Sequence, residues 1–310
     1  MNDTLDRFRS CLLGLAVGDA VGTTLEFQPR GSFTPIADMV GDGPFHLQPG
    51  QWTDDTSMAL CLATSLVCCR GFDARDQMQR YWHWYREGYL SSTGTCFDIG
   101  GTTRTALERF HQTGDPMAGS TDPYSAGNGS LMRLAPVPMY YFSSRGETLC
   151  YAAQSSATTH AAAECIEACQ LFADMLVHAM NGEEKEAILT GSQDLPLQTE
   201  KIRSIASDSY RAKERDEIKG TGYVVDCLEA SLWCFQTSGS FKDAILLAAN
   251  LGDDADTTAA VCGQIAGAYY GMKGIPAHWL ERLHMRREIE ELAEQLWQWG
   301  RARENTPMSG

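Results

Sequence analysis

The stretch IEACQLFADMLVHAM, residues 166–180, decides the fold class. Ile166, Cys169, Phe172, Ala173, Leu176, Val177 and Met180 recur at three- and four-residue steps, which places them on one face of a helix several turns long. The same spacing appears on either side. Leu5, Phe8, Leu12, Leu15 and Ala16 form one stripe, and Met58, Cys61, Leu62, Ser65 and Leu66 another. Val225, Leu228, Leu232 and Phe235, then Ile289, Leu292, Leu296 and Trp297, complete the series. Runs alternating with period two are scarce. Segments 28–50 and 112–136 are rich in Gly and Pro and read as loops between helices. The pattern predicts an all-α fold, one compact domain over residues 1–304. The charged segment 181–220 predicts a solvated helical excursion, and residues 305–310 a disordered C-terminal tail.

At 310 residues the chain is long enough to bury a large core without staples. A composition of 43% hydrophobic and 21% charged residues is ordinary for a globular protein. The formal net charge of -15 argues against nonspecific nucleic-acid binding and against anionic membranes, since both need a basic surface. The 11 cysteines contain no C-x-x-C pair. Cys61, Cys68, Cys165, Cys169, Cys227 and Cys262 sit in apolar helical patterns, which predicts small buried hydrophobes in a reducing compartment rather than disulfides or zinc ligands. The N-terminus lacks the basic start of a signal peptide. No apolar run approaches the roughly 20 residues that cross a bilayer. The expected location is the cytoplasm.

Two acidic clusters carry the chemistry. One is Thr53-Asp54-Asp55 and the other Asp254-Ala255-Asp256-Thr257, each where a loop runs into an apolar helical pattern. Thr and Asp are favoured helix N-caps, and acids favour the first turn, so capping explains either cluster taken alone. A cap needs only one carboxylate, however, and consecutive carboxylates repel. Hard oxygen donors suit magnesium, manganese or calcium, and a divalent cation relieves that repulsion. An EF-hand does not fit. A loop starting at Asp254 puts Ala259 at the turn-glycine position and Ile265 at the bidentate-Glu position, and one starting at Asp253 puts Gln264 at the latter. Asp254 and Asp256, two apart, would face one site from an extended segment.

Three further pieces carry open alternatives. Glu26 follows an apolar helix and is a ligand, an acid/base group or a surface residue. Gly127-Asn128-Gly129-Ser130 permits positive φ and a nest of backbone N–H groups that holds phosphate, or is a plain turn. Ser156-Ala157-Thr158-Thr159-His160 opens the long helix containing Ile166, with His160 facing substrate or satisfied internally. No G-x-S-x-G, H-E-x-x-H, Walker or G-x-G-x-x-G pattern occurs.

Taken in order, these pieces resemble the ADP-ribosylglycohydrolases. The matching stretches are Gly14 to Ala20 with Glu26-Phe27, Trp52 to Thr56, Asp98-Ile99-Gly100, Gly127 to Arg133, Ser156 to His160, and Asn250 to Thr258. The resemblance implies an all-α fold whose cleft holds two divalent cations, Mg2+ or Mn2+. It implies Thr53, Asp54, Asp55, Asp254, Asp256 and Thr257 as metal ligands. Glu26 and Asp98 match the catalytic carboxylates. Gly100, Gly127, Asn128, Gly129, Ser130, Met132 and His160 match substrate-binding positions. The implied substrate is an ADP-ribosylated protein or small molecule, with arginine the first choice of acceptor and O-linked ADP-ribose or a non-catalytic binding role the alternatives. A monomer is favoured. The sequence departs from the family pattern at Asp253, where Gly is usual, at Ala255, where Thr is usual, and at Ser130, where Ala is common.

Overall fold

A computed structural model describes residues 3–304; the predicted tail at 305–310 lies outside them. Fourteen α-helices follow in order. They are α1 (Asp3–Gly22), α2 (Asp54–Cys69), α3 (Ala74–Glu87), α4 (Gly101–Thr113), α5 (Pro136–Tyr141), α6 (Arg145–Ala157) and α7 (Ala163–Met180). Then come α8 (Lys185–Thr190), α9 (Glu200–Ala206), α10 (Val224–Thr237), α11 (Phe241–Ala249), α12 (Ala255–Tyr270), α13 (Ala277–Arg282) and α14 (Arg286–Glu304). Among the described residues there is no strand, only isolated bridges such as Gly127 with Tyr223. Among the described residues no helix is long and apolar enough to cross a membrane. The all-α expectation holds, and segment 181–220 does contain the short helices α8 and α9.

The centre is an antiparallel pair, α1 against α12. Every residue of α1 from Ser10 to Gly22 is buried, as is α12 from Ala255 to Ala268. Small residues set the distance. A Cβ added at Gly14 would lie 2.2 Å from the Gly263 carbonyl oxygen, at Gly18 2.1 Å from that of Ala259, and at Gly22 2.4 Å from that of Ala255. The reverse contacts are as close: Gly263 would meet the Gly14 oxygen at 2.0 Å and Gly267 the Ser10 oxygen at 1.9 Å. Each such atom would sit inside a van der Waals shell in a close-packed interior. The four-residue steps in both helices therefore make one flat seam along which backbones touch. α14 lies across α1 with Ile289, Ala293 and Leu296 buried, and Arg9 of α1 meets Glu294 at 2.6 Å.

Two local readings change. Ser156 to His160 does not open α7: Ser144 caps α6, its hydroxyl accepting from the Glu147 N–H, and α6 runs through Ser156. His160 falls in the turn between α6 and α7, with its backbone pairing to Ser120. Among the six cysteines expected to be buried, Cys68 is exposed at the end of α2. All eleven are free thiols.

Candidate active site

The carboxyl end of α1 supplies the caps that the acidic clusters were weighed for. Asp19, one turn from the end of α1, is fully buried. Its Oδ1 accepts the Thr53 N–H and the Thr53 hydroxyl, both at 2.9 Å. Its Oδ2 accepts the Thr56 N–H at 3.0 Å and the Thr56 hydroxyl at 2.6 Å. Asp19 thus neutralises the first orphan N–H groups of α2 from outside that helix. Glu26 does the same for α12. Delivered by the 3-10 turn Thr23–Leu25, its Oε2 accepts the Ala255 N–H at 2.8 Å and the Asp256 N–H at 3.3 Å. Neither Thr53 nor Asp254, the flanking residues of α2 and α12, makes a side-chain cap. Asp256 Oδ1 accepts the Thr257 N–H at 2.7 Å, but Asp19 and Glu26 already take the N–H groups of Thr53, Thr56, Ala255 and Asp256, so capping does not explain the two clusters.

The clusters converge although 203 residues separate Thr53 from Asp256. The Thr53 hydroxyl lies 3.2 Å from Asp256 Oδ2 and 3.4 Å from Asp55 Oδ2. The Thr257 hydroxyl reaches the same Asp55 oxygen at 3.4 Å. Oxygens of Glu26, Asp254 and Asp256 come within 4.8 Å of one another. Asp254 and Asp256 do face one site, but not from an extended strand: Asp254 precedes the helix and Asp256 lies in its first turn. Asn128 Nδ2 donates to Asp254 Oδ2 at 2.9 Å, which ties the glycine loop to the cluster.

Burial first, then mutual repulsion, raises these acids. Asp54 and Asp55 are pushed well above the usual carboxylate range by burial and by Asp19 and Asp256. Burial, Asp256 and Asp254 push Glu26 up strongly. Asp256 rises to about 7, and Asp98 to about 11 through burial and the charges of Asp256 and Asp54. Asp55 Oδ1 is buried with no hydrogen-bond partner. An all-oxygen donor set, an orphaned buried carboxylate oxygen and carboxylates crowded against each other all fit a hard divalent cation.

Around this cluster opens a cleft of about 620 Å3. Glu26, Asp54, Asp98, Asp254, Asp256 and Thr257 line it, with Gly100, Gly127, Asn128, Gly129, Met132 and His160. Thr53 and Asp55 stand behind these lining residues, linked to Asp256 and Thr257 by the contacts above. Ser130 does not reach the cleft: it is buried and its hydroxyl accepts from Ser156 Oγ at 2.8 Å. The glycine loop forms no positive-φ nest either. Neither glycine takes positive φ, and the Gly127 and Asn128 N–H groups donate to the Ser125 and Gly222 carbonyls. The glycines instead make room. A Cβ at Gly129 would lie 2.8 Å from His160 Cε1.

His160 is fixed by a buried relay. Arg133, wholly buried, donates to Thr159 Oγ1 at 2.7 Å, and Thr159 Oγ1 lies 2.8 Å from His160 Nδ1. With Arg133 donating to it, the Thr159 hydroxyl gives its own proton to Nδ1, which leaves the ring proton on Nε2 beside the glycine loop. Burial and Arg133 hold His160 down to about 3, so the ring is neutral.

Sequence reasoning missed Asp19, Phe27 and Arg104. Asp19 was legible only as the one acid inside an apolar helix. Phe27 and Arg104 line the cleft from positions with no local signal. Asp253 explains itself: its φ is 59°, a region where Gly is favoured and Asp is tolerated. Asp253→Gly should stabilise the protein by about 0.5–1 kcal/mol, the strain relief partly offset by Gly's larger unfolded entropy. Calorimetry should find Tm raised by about 1 °C; a lower Tm would show that this turn is not strained.

The family model described as ADP-ribosylglycohydrolase matches residues 1–305. The chain is 46% identical over 296 residues to the ADP-ribosylarginine hydrolase Tri1 of Serratia proteamaculans, spanning 96% of this chain and 80% of that one. It is 31% identical over 292 residues to the ADP-ribosyl-[dinitrogen reductase] glycohydrolase of Rhodospirillum rubrum, spanning 92% of each. A solved structure of an ADP-ribosylglycohydrolase-related protein complex aligns with a TM-score of 0.86 at 44% identity, covering 97% of this chain and 100% of that one.

Proposed function

Because the chain belongs to the ADP-ribosylglycohydrolase family, we propose that it is a metal-dependent hydrolase that frees ADP-ribose from arginine side chains of modified proteins. The observation that carries this reading is the convergence of two carboxylate clusters whose helix starts are capped by other residues. The name of the Serratia relative, ADP-ribosylarginine hydrolase, favours arginine over other acceptors.

Thr53, Asp54, Asp55, Asp254, Asp256 and Thr257 would hold two divalent cations, Mg2+ or Mn2+, with Glu26 bracing the α12 side. When bound, such cations bring ribose hydroxyls and a water together and lower the pKa of that water. Asp98 is half-buried and faces the cleft without capping duty, so it is the better placed proton carrier. Water oxygen bonds to the anomeric carbon of the distal ribose while the bond to the guanidinium nitrogen breaks. The transition state resembles an oxocarbenium ion. Asp98, raised to about 11 and so protonated, gives its proton to the departing nitrogen and takes up that of the attacking water. Neutral His160 offers its Nε2–H to the ADP-ribose beside Gly127 and Gly129, while Gly100, Asn128 and Met132 shape the wall.

The test is release of free ADP-ribose from an ADP-ribosylarginine peptide with Mg2+ or Mn2+. Activity should vanish in EDTA and return with either cation. Turnover indifferent to EDTA would remove the metal from the mechanism, and release from ADP-ribosylserine alone would reassign the acceptor.

A further inference from the structure

Resting on the arginine reading above, we propose that the exposed ring of Phe27 stacks on the acceptor guanidinium and sets the preference for arginine over neutral acceptors. Phe27 is 62% exposed yet lines the cleft directly after Glu26. Its place is built rather than incidental. The Phe27 N–H donates to the Asp253 carbonyl at 2.8 Å, and the Asp253 N–H donates to the Gln28 carbonyl at 2.8 Å. Both Phe27 and Asp253 hold left-handed φ, 62° and 59°, a conformation that persists only where surroundings enforce it.

A second aromatic group braces the ring from one side. Phe45 meets Phe27 edge-on with centroids 6.1 Å apart, and Phe45 lies 5.2 Å from Phe97. Phe97 in turn precedes Asp98. Glu26 is thus followed, and Asp98 preceded, by an aromatic residue of one continuous rim, of which Phe27 is the most exposed member. Aromatic area left in water has no energetic reason of its own, but an aromatic face beside carboxylates is the environment that a planar cation prefers. Charge complementarity points the same way. Glu26, Asp54, Asp98, Asp254 and Asp256 line the cleft, whereas among its described lining residues Arg104 alone is cationic, His160 being neutral. A guanidinium gains from both ring and field; a serine oxygen gains from neither.

The experiment compares wild type, Phe27→Leu and Phe27→Tyr on an ADP-ribosylarginine peptide. Calorimetry gives the Kd of free ADP-ribose, which carries no acceptor. Phe27→Leu should lose about 5- to 20-fold in kcat/KM on the arginine peptide, mostly through KM. Its Kd for ADP-ribose should stay within about twofold, because the ring touches only the acceptor. Phe27→Tyr keeps the face and should remain near wild type. An equal loss in ADP-ribose Kd, or an unchanged kcat/KM in Phe27→Leu, would overturn the proposal. A wild type that releases nothing from the arginine peptide would instead overturn the arginine reading, and this inference with it.

Discussion

Asp55→Ala or Asp256→Ala should abolish the proposed metal-dependent release of ADP-ribose, by more than about a hundredfold, while the helical fold remains. Loss of groups that merely orient metal ligands already costs about 10- to 100-fold, and these are the proposed ligands themselves. The fold should survive because Asp19 and Glu26 hold the first N–H groups of both helices, and Asp256 adds only the bond from the Thr257 N–H. Stability gives an independent readout. Burial and repulsion raise metal-free Asp256 from an ordinary 3.8 to about 7, and burial raises Asp19 to about 6. A folded pKa above the unfolded value contributes stability that is complete below the unfolded pKa and is lost as pH rises through the folded one. Metal-free wild type should therefore lose stability between about pH 4 and 7. Asp256→Ala should lose less over that window. Added Mn2+ should raise the Tm of wild type more at pH 8 than at pH 5, and barely move that of Asp256→Ala. Equal Mn2+ stabilisation of variant and wild type would refute the ligand assignment.

Gly18→Val should leave little folded protein, and Gly18→Ala should cost about 3 kcal/mol or more. A single Cβ at Gly18 would lie 2.1 Å from the Ala259 carbonyl oxygen and 2.9 Å from the Ala260 nitrogen. Both are backbone atoms of a buried helix and neither can rotate away, so α1 and α12 must part. Overpacking a tight core costs about 1–3 kcal/mol when side chains yield, and more when only backbone is available. The helix-propensity gain of about 1 kcal/mol from Gly to Ala does not offset it. In thermal melts Gly18→Ala should fall by about 4–5 °C. Gly146→Ala in α6, where nothing lies within 4 Å, should be neutral or stabilising. Parting the helices also moves Asp19, the next residue, away from Thr53 and Thr56, so Mn2+ binding weakens in the same variant. A Gly18→Ala protein as stable as wild type would mean that the two helices do not touch along this seam.

Most of the helical frame was legible because a buried stripe must repeat every three to four residues, and the stripes at Leu5, Met58, Ile166, Val225 and Ile289 do. The two acidic clusters were legible as helix starts, and they are. What misled was local completeness. Ser156 to His160 continues an apolar pattern into α7, yet a turn intervenes so that His160 can point at Gly129. Ser130 sits among cleft residues in sequence but faces Ser156 in space. The spacing of Gly14, Gly18 and Gly22 against Gly263 and Gly267 was present in the sequence as four-residue steps. Its meaning appeared only once the two helices were seen side by side.

Local chemistry by itself determined that the chain is helical, that carboxylates and threonines gather at two helix starts, and that their oxygens suit a hard cation, because propensity, periodicity and donor type are properties of neighbouring residues. Whether those carboxylates serve as the helix caps was decided only by tertiary structure. A cap is defined by which acceptor reaches a helix's free N–H groups, and here the acceptors arrive from residues 34 to 230 positions away. Once Asp19 and Glu26 occupy that role, the acids of both clusters are left facing one another, an arrangement whose hard oxygens fit a divalent cation.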